Sequence, residues 1–181
     1  MKHTIIALSI LSTVALGGCF DIELQVPIVT QVATVEGNQA LFMAKATLHG
    51  EVLGPARVED GLGFGDQAIG QVYLEEFTLQ VTDHARDGVA DIDDLVFVES
   101  MVIHVRSLDQ SSGLKEVAIA WFYADESEDS TPGRLVFEVD HELDLKDYVD
   151  GGFELFSKSV SRVPSDDVSL EGVALFTAIP E

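Results

Sequence analysis

From residue 72 onward, apolar and polar positions alternate with a period of two. In Val72–Thr82, the residues Tyr73, Phe77, Leu79 and Val81 share one face. In Leu95–Arg106, Leu95, Phe97, Met101, Ile103 and Val105 share a face opposed by Val96, Val98 and Val102. In Glu116–Ala124, Val117, Ile119, Trp121 and Tyr123 line one face, while Ala118, Ala120 and Phe122 fill the other. Leu135, Phe137 and Val139 follow, then Phe153–Val163 and Val168–Ile179. Side chains on a strand point alternately to its two faces, so this pattern predicts strands. Turn residues separate the runs: Asp87-Gly88, Ser112-Gly113, Pro132-Gly133, Gly151-Gly152 and Pro164-Ser165-Asp166. The expected class is all-β, an antiparallel β-sandwich of about seven or eight strands. Strands apolar on both faces, around Val96 and Ala118, should be central. Trp121 is expected to anchor the core, since a large ring amid an apolar face contributes most when covered.

The first third of the chain is less regular. Residues 19–37 read as a tether running into an edge strand, because Pro27 lacks the N–H that a central strand must donate. Residues 38–49 suit either a short helix, with Asn38 as N-cap and Gly50 just past its end, or a strand. Gly50 to Gly70 is rich in glycine and reads as a long loop; loops of that length are functional or contain structure of their own. Residues 144–149 read as a helical turn crossing between sheets. The folded domain is expected to span 38–181.

Three stretches carry a resemblance: Asp93-Asp94-Leu95-Val96-Phe97-Val98-Glu99-Ser100, Val117-Ala118-Ile119-Ala120, and the segment from Asp144-Leu145 through Gly151-Gly152-Phe153. The C-terminal two-thirds resembles the immunoglobulin-like β-sandwich of bacterial surface lipoproteins. That resemblance implies a fold and carries no chemistry.

The N-terminus speaks to location. Met1-Lys2-His3 is a positively charged start, Ile5 to Leu16 is an apolar run, and small residues follow, as in a secretory signal peptide over 1–18. The apolar run is roughly 12 residues, short of the about 20 a spanning helix needs. Leu16-Gly17-Gly18-Cys19 resembles the lipobox of bacterial lipoproteins. The resemblance implies cleavage between Gly18 and Cys19, a diacylglyceryl thioether on Cys19, and fatty acylation (palmitate or similar) of the new N-terminus. Each buried CH₂ contributes about 0.8 kcal/mol, so several chains together hold a domain firmly at a membrane. Phe20, rather than Asp, after the cysteine implies the outer membrane under enteric-type sorting.

Removing residues 1–18 leaves 163 residues, enough for one domain with its own core. Among the charges only Lys2 is lost, so 9 basic residues face 32 acidic ones, a net of −23. Such a charge repels nucleic acid and anionic headgroups and favours cationic partners or divalent ions. Cys19 is the single cysteine. With it lipidated, neither an intrachain disulfide nor a cysteine metal site can form.

Candidate chemistry is sparse. Asp83, Asp87, Asp91, Asp93 and Asp94 crowd one turn. Hard oxygen ligands at that density suit calcium, and Asp87, Asp91, Asp93 and Asp94 are the candidate ligands, although EF-hand order is not met. Asp125 to Asp129 forms a second acidic tip. Arg57-x-x-x-Gly61-Leu62-Gly63-Phe64 has the letters of a PDZ carboxylate-binding loop, but Gly65 to Gly70 interrupts where a strand should follow directly. Ser100, His104 and Arg106 fall on one strand face, with Ser100 and His104 about 13 Å apart, too far for a nucleophile–base pair. No Gly-x-Ser-x-Gly, His-Glu-x-x-His or P-loop occurs. The expectation is therefore a non-enzymatic, lipid-anchored envelope protein with a structural or protein-binding role and no cofactor. The alternative is a calcium- or carbohydrate-binding surface module, with an envelope protein or a glycan as its partner.

Overall fold

Two open antiparallel sheets stack face to face around one hydrophobic core. The computed structural model describes residues 23–53, 55–59, 62, 68–82, 94–126 and 130–181. The elements in order are β1 (Leu24–Val29), β2 (Ala33–Val35), α1 (Gln39–Met43), β3 (Thr47–Gly50), β4 (Ala56–Val58), β5 (Ile69–Val81), β6 (Val98–Ser107), β7 (Val117–Tyr123), β8 (Arg134–Val136), β9 (Glu138–Val139), α2 (Lys146–Asp150), β10 (Phe153–Arg162) and β11 (Val168–Pro180). The five-stranded sheet runs β1-β11-β5-β8, with β2 also on β11. The six-stranded sheet runs β3-β10-β6-β7-β9, with β4 also on β10.

The β-sandwich expected from period-two patterning is present. Its strands outnumber the seven or eight expected because β2, β3, β4, β8 and β9 are edge pieces of two to four residues. Pieces that short carry no readable alternation. β6 and β7 are interior strands, as apolar residues on both faces required.

Two β-bulges correct the expected faces. On β5, Phe176 pairs with Leu74 but Leu175 with Glu76, leaving Glu75 as an extra residue. Val72 and Leu74 therefore point into the core before the bulge, and Phe77 and Leu79 after it. Tyr73 turns outward, away from the face of Phe77. On β7, His104 pairs with Ala118 and Ile103 with Ala120, so Ile119 is the extra residue. The core then takes Ile119, Ala120 and Phe122. Trp121 and Tyr123 move to the outward face, and Trp121 is not the core anchor. A bulge inserts one residue and flips every side chain beyond it. Val96 also departs from expectation: it lies in the turn before β6 and is 70% exposed.

The core is built instead on phenylalanine. The Phe77 and Phe137 rings meet edge to face at 4.9 Å, Phe122 lies 5.6 Å from Phe137, and Phe153 and Phe176 meet at 5.6 Å. Phe77, Phe153 and Phe176 are fully buried; each contributes about 1.5–3 kcal/mol by leaving water.

The N-terminal third forms an edge strap on both sheets. β1 and β2 run along β11 in turn, from Leu24 opposite Ala178 to Val35 opposite Val168. The chain then crosses to the other sheet, where β3 and β4 line β10. Helix α1 makes the crossing. Asn38 caps it, its Oδ1 accepting from the N–H groups of Ala40 and Leu41, both at 3.1 Å. Residues 38–49 thus hold both readings in succession, a helix and then a strand, and Gly50 ends β3 instead of following a helix. The strap grips the β10–β11 connection: Asn38 N–H donates to Pro164 O at 2.9 Å, and Val163 N–H to Ala46 O at 3.1 Å. Gly37 passes so close to Asp166 that an added Cβ would lie 2.0 Å from its carbonyl carbon.

At the opposite end, α2 occupies the turn expected near 144–149. Asp144 holds it to β5, its Oδ1 accepting from Val72 N–H at 3.1 Å and Lys146 N–H at 3.0 Å. The glycine-rich stretch 50–70 contains β4, paired to β10. No described helix is long and apolar enough to cross a membrane.

Candidate functional site

The strap and the β10–β11 connection enclose a cleft at the end of the sandwich remote from Leu24. Its volume is about 240 Å³, lined by Phe42, Val96, Phe97, Pro164 and Val168, with Asp94, Arg162, Ser165 and Asp166 around them. Helix α1 has no buried residue and presents Leu41, Phe42 and Met43 to solvent, Met43 at 71% exposure. Phe42 and Val96, both lining the cleft, make an exposed apolar tip on a strongly acidic chain. Contiguous apolar exposure of this kind marks interaction surfaces. Arg162 is held by Glu99, its Nε 2.8 Å from Oε1.

A second array lies on the outward face of the six-stranded sheet. Register places Arg106 opposite Glu154, and Glu154 opposite Arg57. Glu154 is only 4% exposed. Arg106 Nε donates to its Oε2 at 2.6 Å, and Arg57 reaches Oε1 at 3.5 Å. A buried carboxylate is tolerated when such charge-assisted bonds offset its lost hydration. One row along, His104 stacks on Phe156 with centroids 5.3 Å apart. Arg106 and Lys158 lie over the same ring, 4.7 and 5.6 Å from its centroid. Burial lowers the His104 pKa below its ordinary value; the nearby Lys158 ammonium adds to this and Glu116 opposes it. His104 Nδ1 is 3.0 Å from Glu116 Oε1, out of line for a hydrogen bond. Glu116 is instead the acceptor of Lys158, whose hydrogen bond lowers its pKa.

The candidate residues read from sequence fare differently. Gly18, Cys19, Asp87, Asp91 and Asp93 lie outside the described residues. Asp94 is described: its Oδ1 accepts from Val96 N–H at 3.2 Å, shaping the turn that exposes Val96 at the cleft. Among the described residues no three His, Cys, Asp or Glu side chains converge as a metal site. Gly61, Gly63 and Phe64 of the glycine-rich stretch after Arg57 also lie outside the described residues, and Arg57 itself is engaged by Glu154. Sequence reading missed the Arg57–Glu154–Arg106 group because the three lie far apart in the chain. The available signal was a single charge, Glu154, inside the apolar run Phe153-Glu154-Leu155-Phe156.

No protein-family model matches this chain, and no curated protein does. Among solved structures, one of Mud crab tombus-like virus is 10% identical, with 99% of this chain and 90% of that chain covered and a TM-score of 0.31. One of turnip yellow mosaic virus is 12% identical, with coverage of 99% and 92% and a TM-score of 0.27. Likeness this slight carries no argument about what the present chain does.

Proposed function

We propose that this chain is a lipid-anchored β-sandwich of the bacterial cell envelope, held at the outer membrane through Cys19, that presents the Phe42–Val96 tip to a protein partner. The observation that carries the reading is the polarity of the strap. Leu24, five residues after Cys19, pairs with Ala178 at one end of β11, whereas the cleft residue Val168 lies ten residues away along the same strand. At about 3.4 Å per residue that places the apolar tip about 34 Å from the anchored end. A surface so placed faces away from the membrane that holds the lipid, which favours a protein occupant over the anchoring bilayer. The charge of the chain, −22 in all, favours a partner with a basic rim and speeds its approach.

The test joins labelling to crosslinking. Cells expressing the wild-type chain should incorporate an alkyne-tagged fatty acid into it, and Cys19→Ser should abolish both label and membrane association. A photo-crosslinker at Val96 should capture a discrete protein band that one at Gln25, near the anchored end, does not. Retention of label in Cys19→Ser refutes the anchor, and equal capture at both positions refutes the tip.

A further inference from the structure

We infer that the outward face of β6, β7 and β10 is a binding platform for a neutral glycan. Apart from Arg162, which also borders the cleft, it rests on residues outside the cleft lining. The β7 bulge turns Trp121 and Tyr123 to the same outward face, two residues and so about 7 Å apart. Tyr123 is 42% exposed. Across the sheet, Val102 lies beside Trp121 and Ser100 beside Tyr123, with Lys158 and Val160 next on β10. The result is two adjacent rows on an open sheet face, aromatic at one side and apolar or hydroxyl-bearing toward the middle.

Charge selects the occupant. The chain carries a net −22, yet this face cancels its own charges. Arg57 and Arg106 meet Glu154, Lys158 meets Glu116, and Arg162 meets Glu99. Counting Glu138 opposite Trp121, four cations face four carboxylates on these described strands, with Asp125 and Glu126 of the hairpin tip beyond Tyr123. A polyanion gains nothing from a balanced face and is repelled by the body behind it. A cationic ligand finds more carboxylate elsewhere on the molecule. An uncharged saccharide suits both features. The C–H faces of its rings cover aromatic surface without desolvating a charge, and its hydroxyls exchange hydrogen bonds with ionic groups whose positions the neighbouring partners already fix. Residues spread along an open sheet face call for an extended chain of sugars rather than a single enclosed one.

Trp121 is the sole tryptophan, so its fluorescence reports this face directly. The experiment titrates the full chain, purified in a detergent without a sugar headgroup, with neutral oligosaccharides (cello-, chito-, xylo- and malto-series) and with an anionic uronic-acid oligomer. The expected result is a saturable emission change with at least one neutral series and none with the anionic one. Tyr123→Ala, which keeps the reporter, should weaken that response about tenfold. Trp121→Phe, followed by calorimetry, should retain most of the affinity because a stacking ring remains, and Val96→Ser at the distal tip should leave it unchanged. No response to any neutral series overturns the proposal. So does a response to the anionic oligomer alone, or a neutral-series response that survives Tyr123→Ala undiminished.

Discussion

Gly152 offers the sharpest test of how the edge strap is fitted to the six-stranded sheet. Its φ of +78° lies in the left-handed region, and a Cβ there would fall 2.7 Å from Glu59 O and 3.0 Å from Val58 O. Both contacts are backbone, and Val58 pairs with Phe153, the next residue. Gly152→Ala therefore carries two costs. Left-handed backbone costs a residue with a Cβ about 1–2 kcal/mol. Relieving the overlap requires β4 to move off β10, an overpacking cost of about 1–3 kcal/mol. Gly113 separates the two, because its φ is +71° with nothing within 4 Å of the added Cβ. Gly113→Ala should lose only the backbone part. Gly133, equally open and without positive φ, serves as the control; Gly133→Ala should be neutral or stabilising by up to about 1 kcal/mol. For a domain of this size, about 3 °C of Tm accompanies each kcal/mol. The expected losses are thus about 3–6 °C for Gly113→Ala and about 6–15 °C for Gly152→Ala. Thermal melts and urea titrations of the three variants measure this series. Equal losses at Gly113 and Gly152 would refute the claim that β4 backbone crowds the start of β10.

Three further outcomes follow from the packing. Phe122→Ala should cost about 3–5 kcal/mol and Trp121→Ala less than half of that, a urea comparison that inverts if the β7 bulge is misplaced. Arg106→Ala leaves the buried Glu154 carboxylate with only Arg57 at 3.5 Å and should cost about 2–3 kcal/mol, with part restored by adding Glu154→Gln; a double variant no better than the single one sinks the buried-charge account. His104 has a lowered pKa, so around and below pH 6.5 the unfolded chain binds more protons than the native one. Its contribution is complete above the unfolded value and is lost as pH falls through 6.5 toward the lowered native value. The urea midpoint should fall from pH 7.5 to 5.5, and His104→Gln should flatten that slope. The Glu116–Lys158 pair acts in a lower window: its contribution is present above the ordinary carboxylate pKa and is lost at more acid pH.

Alternation of apolar and polar residues predicted the fold class and the interior position of β6 and β7, while a capping residue at Asn38 marked one of two open readings of residues 38–49, and residues 144–149 read as a helical turn. Each leaves a mark in the spacing of neighbouring residues, and a local pattern records local geometry and burial. The face of Trp121, the outward turn of Tyr73 and the exposure of Val96 were decided by tertiary structure. A bulge forms where the partner strand's register demands it, and register is a property of two segments distant in sequence. The same holds for the charges. Composition established a strongly acidic chain, but only folding paired the cations with carboxylates across one sheet face and placed the apolar tip of α1 at the end of β11 farthest from Leu24.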